Sequence, residues 1–149
     1  MKTQAIDRVR QIYDEIDAAL KNSPELAGKC SACGRCCDFE SFGHRLYITP
    51  PELDYLAHHI GKENIRPMKK GICPYNENGK CTVYDFRFAS CRIFCCTGDD
   101  DFQSQLTEST LAKLKRLCED LSIPYEYMEL STALNDVFRA TSDEKRATN

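Results

Sequence analysis

Ten cysteines in 149 residues, all but Cys118 crowded between Cys30 and Cys96, restrict this chain more than any other feature. Free exposed thiols are reactive, so so many of them must be oxidised in pairs or bound to metal. The N-terminus, Met1-Lys2-Thr3-Gln4-Ala5-Ile6, lacks the apolar stretch of a signal peptide. No apolar run approaches the ~20 residues that span a bilayer. These features lead us to expect a cytoplasmic protein without membrane contact, in a compartment where structural disulfides are rare. Metal or redox chemistry is then the use that many cysteines imply.

The ligand spacing sharpens this expectation. Cys30-Ser31-Ala32-Cys33-Gly34-Arg35-Cys36-Cys37 contains two C-x2-C spacings in tandem. Such a run can curl around one point and present three thiolates to one centre, as in bacterial ferredoxin sequences. A second group comprises Cys73, Cys81, Cys91, Cys95 and Cys96. Successive side chains of extended backbone point to opposite faces. Cys36 and Cys37 are therefore expected to serve different centres. This arithmetic allows two four-thiolate sites, with Cys30, Cys33, Cys36 and Cys73 in one and Cys37, Cys81, Cys91 and Cys96 in the other. A single site with several spectator thiols is the alternative. The nearby cations Arg35, Arg87 and Arg92 suit the negative charge of an all-thiolate cluster and are candidate cofactor-binding residues. His44 follows the first group closely. His58 and His59 fit better as cations at a helix C-terminus. Cys118 falls on an apolar helical stripe and reads as core.

The flanks have another character. Ile6, Val9, Ile12, Tyr13, Ile16, Ala19 and Leu20 recur at helical spacing. Thr49-Pro50-Pro51-Glu52 has the form of a capping box ahead of a helix over about 50–60, and Gly61 is a stop signal. Arg45-Leu46-Tyr47-Ile48 is a short candidate strand. Asn78-Gly79, between Cys73-Pro74-Tyr75 and Lys80-Cys81-Thr82, predicts a β-hairpin carrying Cys73 and Cys81 on opposite arms. Leu111, Leu114, Cys118 and Leu121, and after Pro124 Leu130, Ala133, Leu134 and Val137, predict C-terminal helices over about 105–140. The expected architecture is one mainly α domain of residues 1–149 with a Cys-rich loop and β-hairpin metal core. Helical segment 1–28 precedes metal core 29–98, and a polar, frayed tail occupies 141–149. A net charge of −3, from 20 basic and 23 acidic residues, offers no basic face for nucleic acid.

Taken together, Cys30-x2-Cys33-Gly34-x-Cys36-Cys37, Cys73-Pro74, Gly79-Lys80-Cys81-Thr82-Val83-Tyr84, Arg87 and Cys91-Arg92 resemble the YkgJ-type cysteine-cluster family. That family is described as a zinc- or iron-chelating domain and is often labelled an iron–sulfur protein. The resemblance covers about residues 30–96 and implies a site rather than a reaction. Phe88 and Cys95 depart from it, each standing where the family commonly has Pro, so Cys95 is the first candidate for a spare thiol. The expected metal ligands are Cys30, Cys33, Cys36, Cys37, Cys73, Cys81, Cys91 and Cys96. The expected cofactor is iron–sulfur, two [4Fe–4S] clusters in an electron-transfer or cluster-handling role with a redox partner protein. A structural or partner-docking Zn2+ module is the alternative. No Gly-rich phosphate loop, radical-type C-x3-C-x2-C signature or nucleophile–base pair marks an enzyme.

Overall fold

The computed structural model describes residues 2–29, 37–42 and 45–148, excluding side-chain detail at 41, 42 and 145–148. The chain is mainly helical, as its periodicity predicts. Helix α1 (Lys2–Asn22) is followed by short turns α2 (Pro24–Ala27) and α3 (Phe39–Phe42), strand β1 (Tyr47–Ile48) and helix α4 (Pro50–Ile60). Strands β2 (Asn76–Glu77) and β3 (Lys80–Cys81) form the hairpin, and α5 (Ala89–Ile93) follows it. Helix α6 (Asp100–Asp120), strand β4 (Met128–Glu129) and helix α7 (Leu130–Thr148) complete the order.

Two apolar clusters lie on either side of α4 and α5. In the first, the α1 stripe Ile6, Val9, Ile12, Tyr13 and Ile16 meets Leu114 and Leu117 of α6, Ala89 and Ile93 of α5, and Tyr55 of α4. In the second, Leu53 and Leu56 of α4 meet Ile48, Ile65, Tyr75, Phe88 and, from α7, Leu130, Ala133 and Leu134. Helix α4 therefore buries side chains in both directions and serves as the shared wall.

That wall contains a buried charge. Glu52 is only 2 % exposed. Its carboxylate accepts the Thr49 backbone N–H and the Thr49 hydroxyl, both at 2.9 Å, which supplies the capping interaction expected from sequence. It also accepts the Tyr13 hydroxyl of α1 at 3.3 Å and the Ala89 N–H, at the start of α5, at 2.8 Å. One side chain thus joins three helices. Burial raises its pKa above the ordinary carboxylate value, against the opposing pull of these hydrogen bonds.

Several local forms follow from composition. Asn78 (φ 55°) and Gly79 (φ 78°) both adopt the left-handed region that a tight two-residue hairpin turn requires. β2 and β3 pair antiparallel with Asn76 opposite Cys81. Helix α6 begins earlier than the predicted 105, because the Asp99 carboxylate accepts the Phe102 N–H at 2.8 Å and caps it. It ends in a left-handed Ser122, with the Ile123 N–H returning to the Cys118 carbonyl at 2.8 Å, and Pro124 follows. The candidate strand before α4 is present as β1, but its partner β4 carried no signal, and Tyr47 pairs with Glu129 across that bridge. Helix α7 continues through the stretch expected to fray, as far as Thr148. Asn135 of α7 binds both backbone groups of Met68, at 2.8 and 3.3 Å, and so ties the chain after α4 to α7.

Removing the Glu52 carboxylate leaves buried donors on Thr49, Tyr13 and Ala89 without an acceptor. Glu52→Ala is expected to cost roughly 3 kcal/mol in denaturant unfolding, and Tyr13→Phe about 1 kcal/mol. The folded state holds the Glu52 proton more tightly than the unfolded chain. The contribution of this group is therefore fully present below the ordinary glutamate pKa and declines as pH rises through the raised one. The stability advantage of wild type over Glu52→Gln should shrink across that rise; an advantage that grows with pH would contradict the assignment.

Candidate metal centre

Three of the eight expected ligands, Cys30, Cys33 and Cys36, lie outside the described residues, as do Arg35 and His44. The described cysteines are reached by way of the backbone that holds them. Directly after the first run, the Cys37 carbonyl accepts the Cys73 N–H at 2.8 Å. Asp38 and Ile72 form an antiparallel bridge, and the N–H groups of Phe39 and Glu40 both go to the Gly71 carbonyl, at 2.7 and 3.1 Å. Gly71 is required there, because a Cβ would stand 2.5 Å from the Glu40 Cβ. The far end of the first cysteine run is therefore sewn to the start of the second group.

The near end is sewn elsewhere. The Asp99 N–H donates to the Leu26 carbonyl at 2.8 Å. The Lys29 N–H donates to the Thr97 hydroxyl at 3.1 Å, and that hydroxyl lies 3.2 Å from the Lys29 carbonyl. Gly28 (φ 77°) and Gly98 let the two backbones approach this closely. A Cβ on Gly28 would lie 2.7 Å from the Gly98 nitrogen, and one on Gly98 would lie 2.8 Å from the Ala27 carbonyl. Lys29 immediately precedes Cys30, and Thr97 immediately follows Cys95-Cys96. Neither seam was visible in the sequence, because both are made by backbone groups and one hydroxyl rather than by a periodic pattern.

The second group is spread over distinct supports. Cys73 begins a turn, with its carbonyl accepting the Asn76 N–H at 3.0 Å, and Cys81 is on β3. The hairpin is anchored by the buried Tyr75, whose hydroxyl accepts the Arg66 N–H at 2.9 Å and whose carbonyl accepts the N–H and hydroxyl of Thr82 at 2.8 and 2.9 Å. Cys91 is on α5, and both Cys73 and Cys91 border the second apolar cluster. Cys95 is half-buried and Cys96 exposed. Cys118 is 1 % exposed on α6, and burial raises its thiol pKa, as suits a core residue. Among the described residues, no three His, Cys, Asp or Glu side chains are gathered as a metal-holding group. Of the expected ligands, Cys37, Cys73, Cys81, Cys91 and Cys96 lie among the described residues. The donors remain chemically suited to thiolate-bound iron or zinc, since every one is sulfur.

The two candidate cofactor-binding arginines that are described, Arg87 and Arg92, have protein partners. Arg92 stacks over the Tyr13 ring at 4.2 Å and is almost buried. Its Nε donates to the Arg87 carbonyl at 2.9 Å, Nη2 to the Asp85 carbonyl at 2.9 Å, and Nη1 to Asp17 of α1 at 3.0 Å. Arg87 lies over Tyr84 at 3.7 Å and donates to the carbonyls of Tyr84 and Cys91, at 3.0 and 3.3 Å. Both arginines brace the bend that carries Cys91, and Arg92 pins that bend to α1. An open polar cleft of about 400 Å³, bordered by Asp14, Asp17, Asp85 and these arginines, lies on the same side. His59 is enclosed by aromatic rings, stacked on Phe86 with centroids 4.6 Å apart. Burial, followed by His58 and Arg10, lowers its pKa.

Arg92→Leu should cost about 2 kcal/mol through its lost charge-assisted bonds. Hydrogen exchange should rise first in the 84–92 bend and in α1 around Asp17. Unchanged protection at both places would show that the brace is dispensable.

No family model, curated protein or solved structure matches this chain.

Proposed function

We propose that the protein is a cysteine-ligated metal protein carrying iron–sulfur clusters in an electron-transfer or cluster-handling role. One observation carries this reading. The two ends of the first cysteine run are held by separate backbone seams, one against Cys73 and the other beside Cys95-Cys96. The run is thereby stationed between two other cysteine-bearing segments, and thiolate–metal bonds are the further links proposed among them. The ligands are drawn from Cys30, Cys33, Cys36, Cys37, Cys73, Cys81, Cys91 and the Cys95–Cys96 pair. The seams favour a division in which the Cys37 end works with Cys73 and the Cys30 end with Cys95-Cys96. The resemblance to the YkgJ-type cysteine-cluster family supports the same reading. A bound cluster supplies a one-electron couple, and the protein's part is to hold the thiolates, orient them and limit water.

A cytoplasmic setting fits this chemistry, and among the described residues no helix is long and apolar enough to cross a membrane. Zinc is the second reading, favoured by the distribution of Cys73, Cys81 and Cys91 over a turn, a hairpin arm and a helix, since structural zinc sites commonly take ligands from separate elements.

Anaerobic purification should yield coloured protein with acid-labile sulfide, and about eight irons per chain if two [4Fe–4S] clusters form. About four irons would mean one cluster. Colourless protein with stoichiometric zinc would replace the iron–sulfur reading with the zinc one. Serine replacement of Cys73 or Cys91 should lower metal content, and Cys118→Ser should leave it unchanged. Removing metal should raise hydrogen exchange over 71–82 and 89–99 well above that in α1 and α7; full protection of the middle without metal would show that the metal is not structural.

A further inference from the structure

We infer that the outer face of the β1–β4 ribbon is a docking site for a cationic, arginine-bearing segment of a partner protein, held over a stacked pair of tyrosines. Every residue of this face is among those described and none is a cysteine. Its failure and the failure of the metal reading are therefore separate outcomes.

The pleat sorts the ribbon into two faces, because successive strand residues point to opposite sides. Ile48 is fully buried, and Met128, opposite it on the ladder, packs with it into the second apolar cluster. Tyr47 and its partner Glu129 are turned the other way, and Tyr127 shares their side. The Tyr47 and Tyr127 rings stack with centroids 5.2 Å apart and planes at 25°. Tyr47 is half-buried, whereas Tyr127 is 42 % exposed. Tyr125, two residues earlier, is exposed and is an electrostatic neighbour of Tyr127. Single exposed apolar residues are ordinary, but rings gathered on one face mark an interaction site. Tyrosine is among the residues enriched in such contacts.

Ring chemistry and charge select the occupant. The face of a tyrosine ring attracts a guanidinium, and this chain uses that attraction three times, with Arg92 over Tyr13, Arg66 over Tyr75 and Arg87 over Tyr84. Among the described residues, no Arg or Lys is so placed over Tyr47, Tyr125 or Tyr127. Glu126 and Glu129 lie beside these rings in the chain, and neither forms an ion pair among the described residues. From Leu121 to Phe138 the charged residues are Glu126, Glu129 and Asp136, with no Lys or Arg. Arg45 precedes β1, and among the described residues it pairs with no acid and stacks on no ring. A second copy would set these carboxylates against their own kind, which disfavours self-association. An arginine supplies a plane for the rings and a charge for the carboxylates together. The Ser90 side chain is a hydrogen-bonding neighbour of the Tyr127 hydroxyl. An occupant of this face would therefore sit beside the residue that precedes Cys91.

The test uses the full chain and a fluorescent peptide of alternating Arg and Pro, with a citrulline counterpart that keeps the shape and removes the charge. The Arg peptide should bind, and its citrulline form should bind at least about tenfold more weakly. Tyr127→Ala should weaken binding of the Arg peptide by about tenfold or more. Glu126→Gln with Glu129→Gln should weaken it and flatten its salt dependence. Phe138→Ala, an exposed ring on α7, should bind as wild type. Amide shifts on titration should concentrate at 45–48 and 125–129. No binding at about 1 mM peptide overturns the inference, as do equal binding of the citrulline form, shifts centred elsewhere, or wild-type affinity in Tyr127→Ala. Should Tyr127→Ala lose its helical circular dichroism, Tyr127→Leu decides, since it keeps an apolar side chain without the ring; wild-type affinity in that variant overturns the inference. A concentration-dependent dimer in sedimentation that Tyr127→Ala abolishes would assign the face to a second copy and overturn it as well.

Discussion

The Glu52 carboxylate is the interaction on which the rest of this structure depends. Helices α1, α4 and α5 meet at a point where two apolar clusters adjoin, and neither cluster alone fixes how the helices are turned. Glu52 fixes it with directional bonds: two to Thr49, one from Tyr13 and one from Ala89. A buried carboxylate is costly unless its lone pairs are used. Here they are used by three different elements, so a rotation of any one breaks a bond that nothing else replaces. The Ala89 bond matters most for the cysteine-rich segment, because it sets the start of the helix that carries Cys91.

Tyr13 extends this control outward. Its hydroxyl faces Glu52, its ring meets Tyr55 edge-on at 5.1 Å, and its other side carries the Arg92 guanidinium. Arg92 in turn binds Asp17 and the Asp85 and Arg87 carbonyls. A continuous polar path thus runs from the interior of the helical core to the bend before Cys91. The surface ion pairs Arg8–Asp120 and Lys113–Glu15, which also link α1 to α6, are exposed and contribute little by comparison.

How much of this could be read from the sequence depended on range. Local chemistry was visible: the Thr49–Glu52 cap, the Gly61 stop, the Asn78-Gly79 turn and the apolar stripe of α1 all occur where residue type and spacing place them. Long-range pairing was not. Glu52 was legible as half of a capping box, but nothing near it in sequence announced Tyr13 or Ala89. Arg92 was singled out for its position beside Cys91, whereas its donors turn to α1 and to its own bend. Strand β4 was missed because two residues leave no periodicity. Thr97 was missed because a single hydroxyl between a cysteine pair and an aspartate run has no pattern to belong to. In the cysteine region, count and spacing carried an expectation of thiolate–metal chemistry and nothing about the contacts. The seams that decide which thiols can meet lie in backbone carbonyls, which every sequence shares.

Fixed seams at Lys29 and Cys37 have a consequence in polymer terms. A ligand-bearing stretch of chain ordinarily loses loop-closure entropy when a metal gathers its ends, a cost that varies only logarithmically with length. Here the seams hold both ends of the run at set positions, Lys29 against Thr97 and Cys37 against Cys73. For any ligand of that run, part of this closure cost is met by the protein's own hydrogen bonds. Changing the number of residues between Lys29 and Cys37 would alter that closure cost while leaving the residues of both seams and both apolar clusters in place.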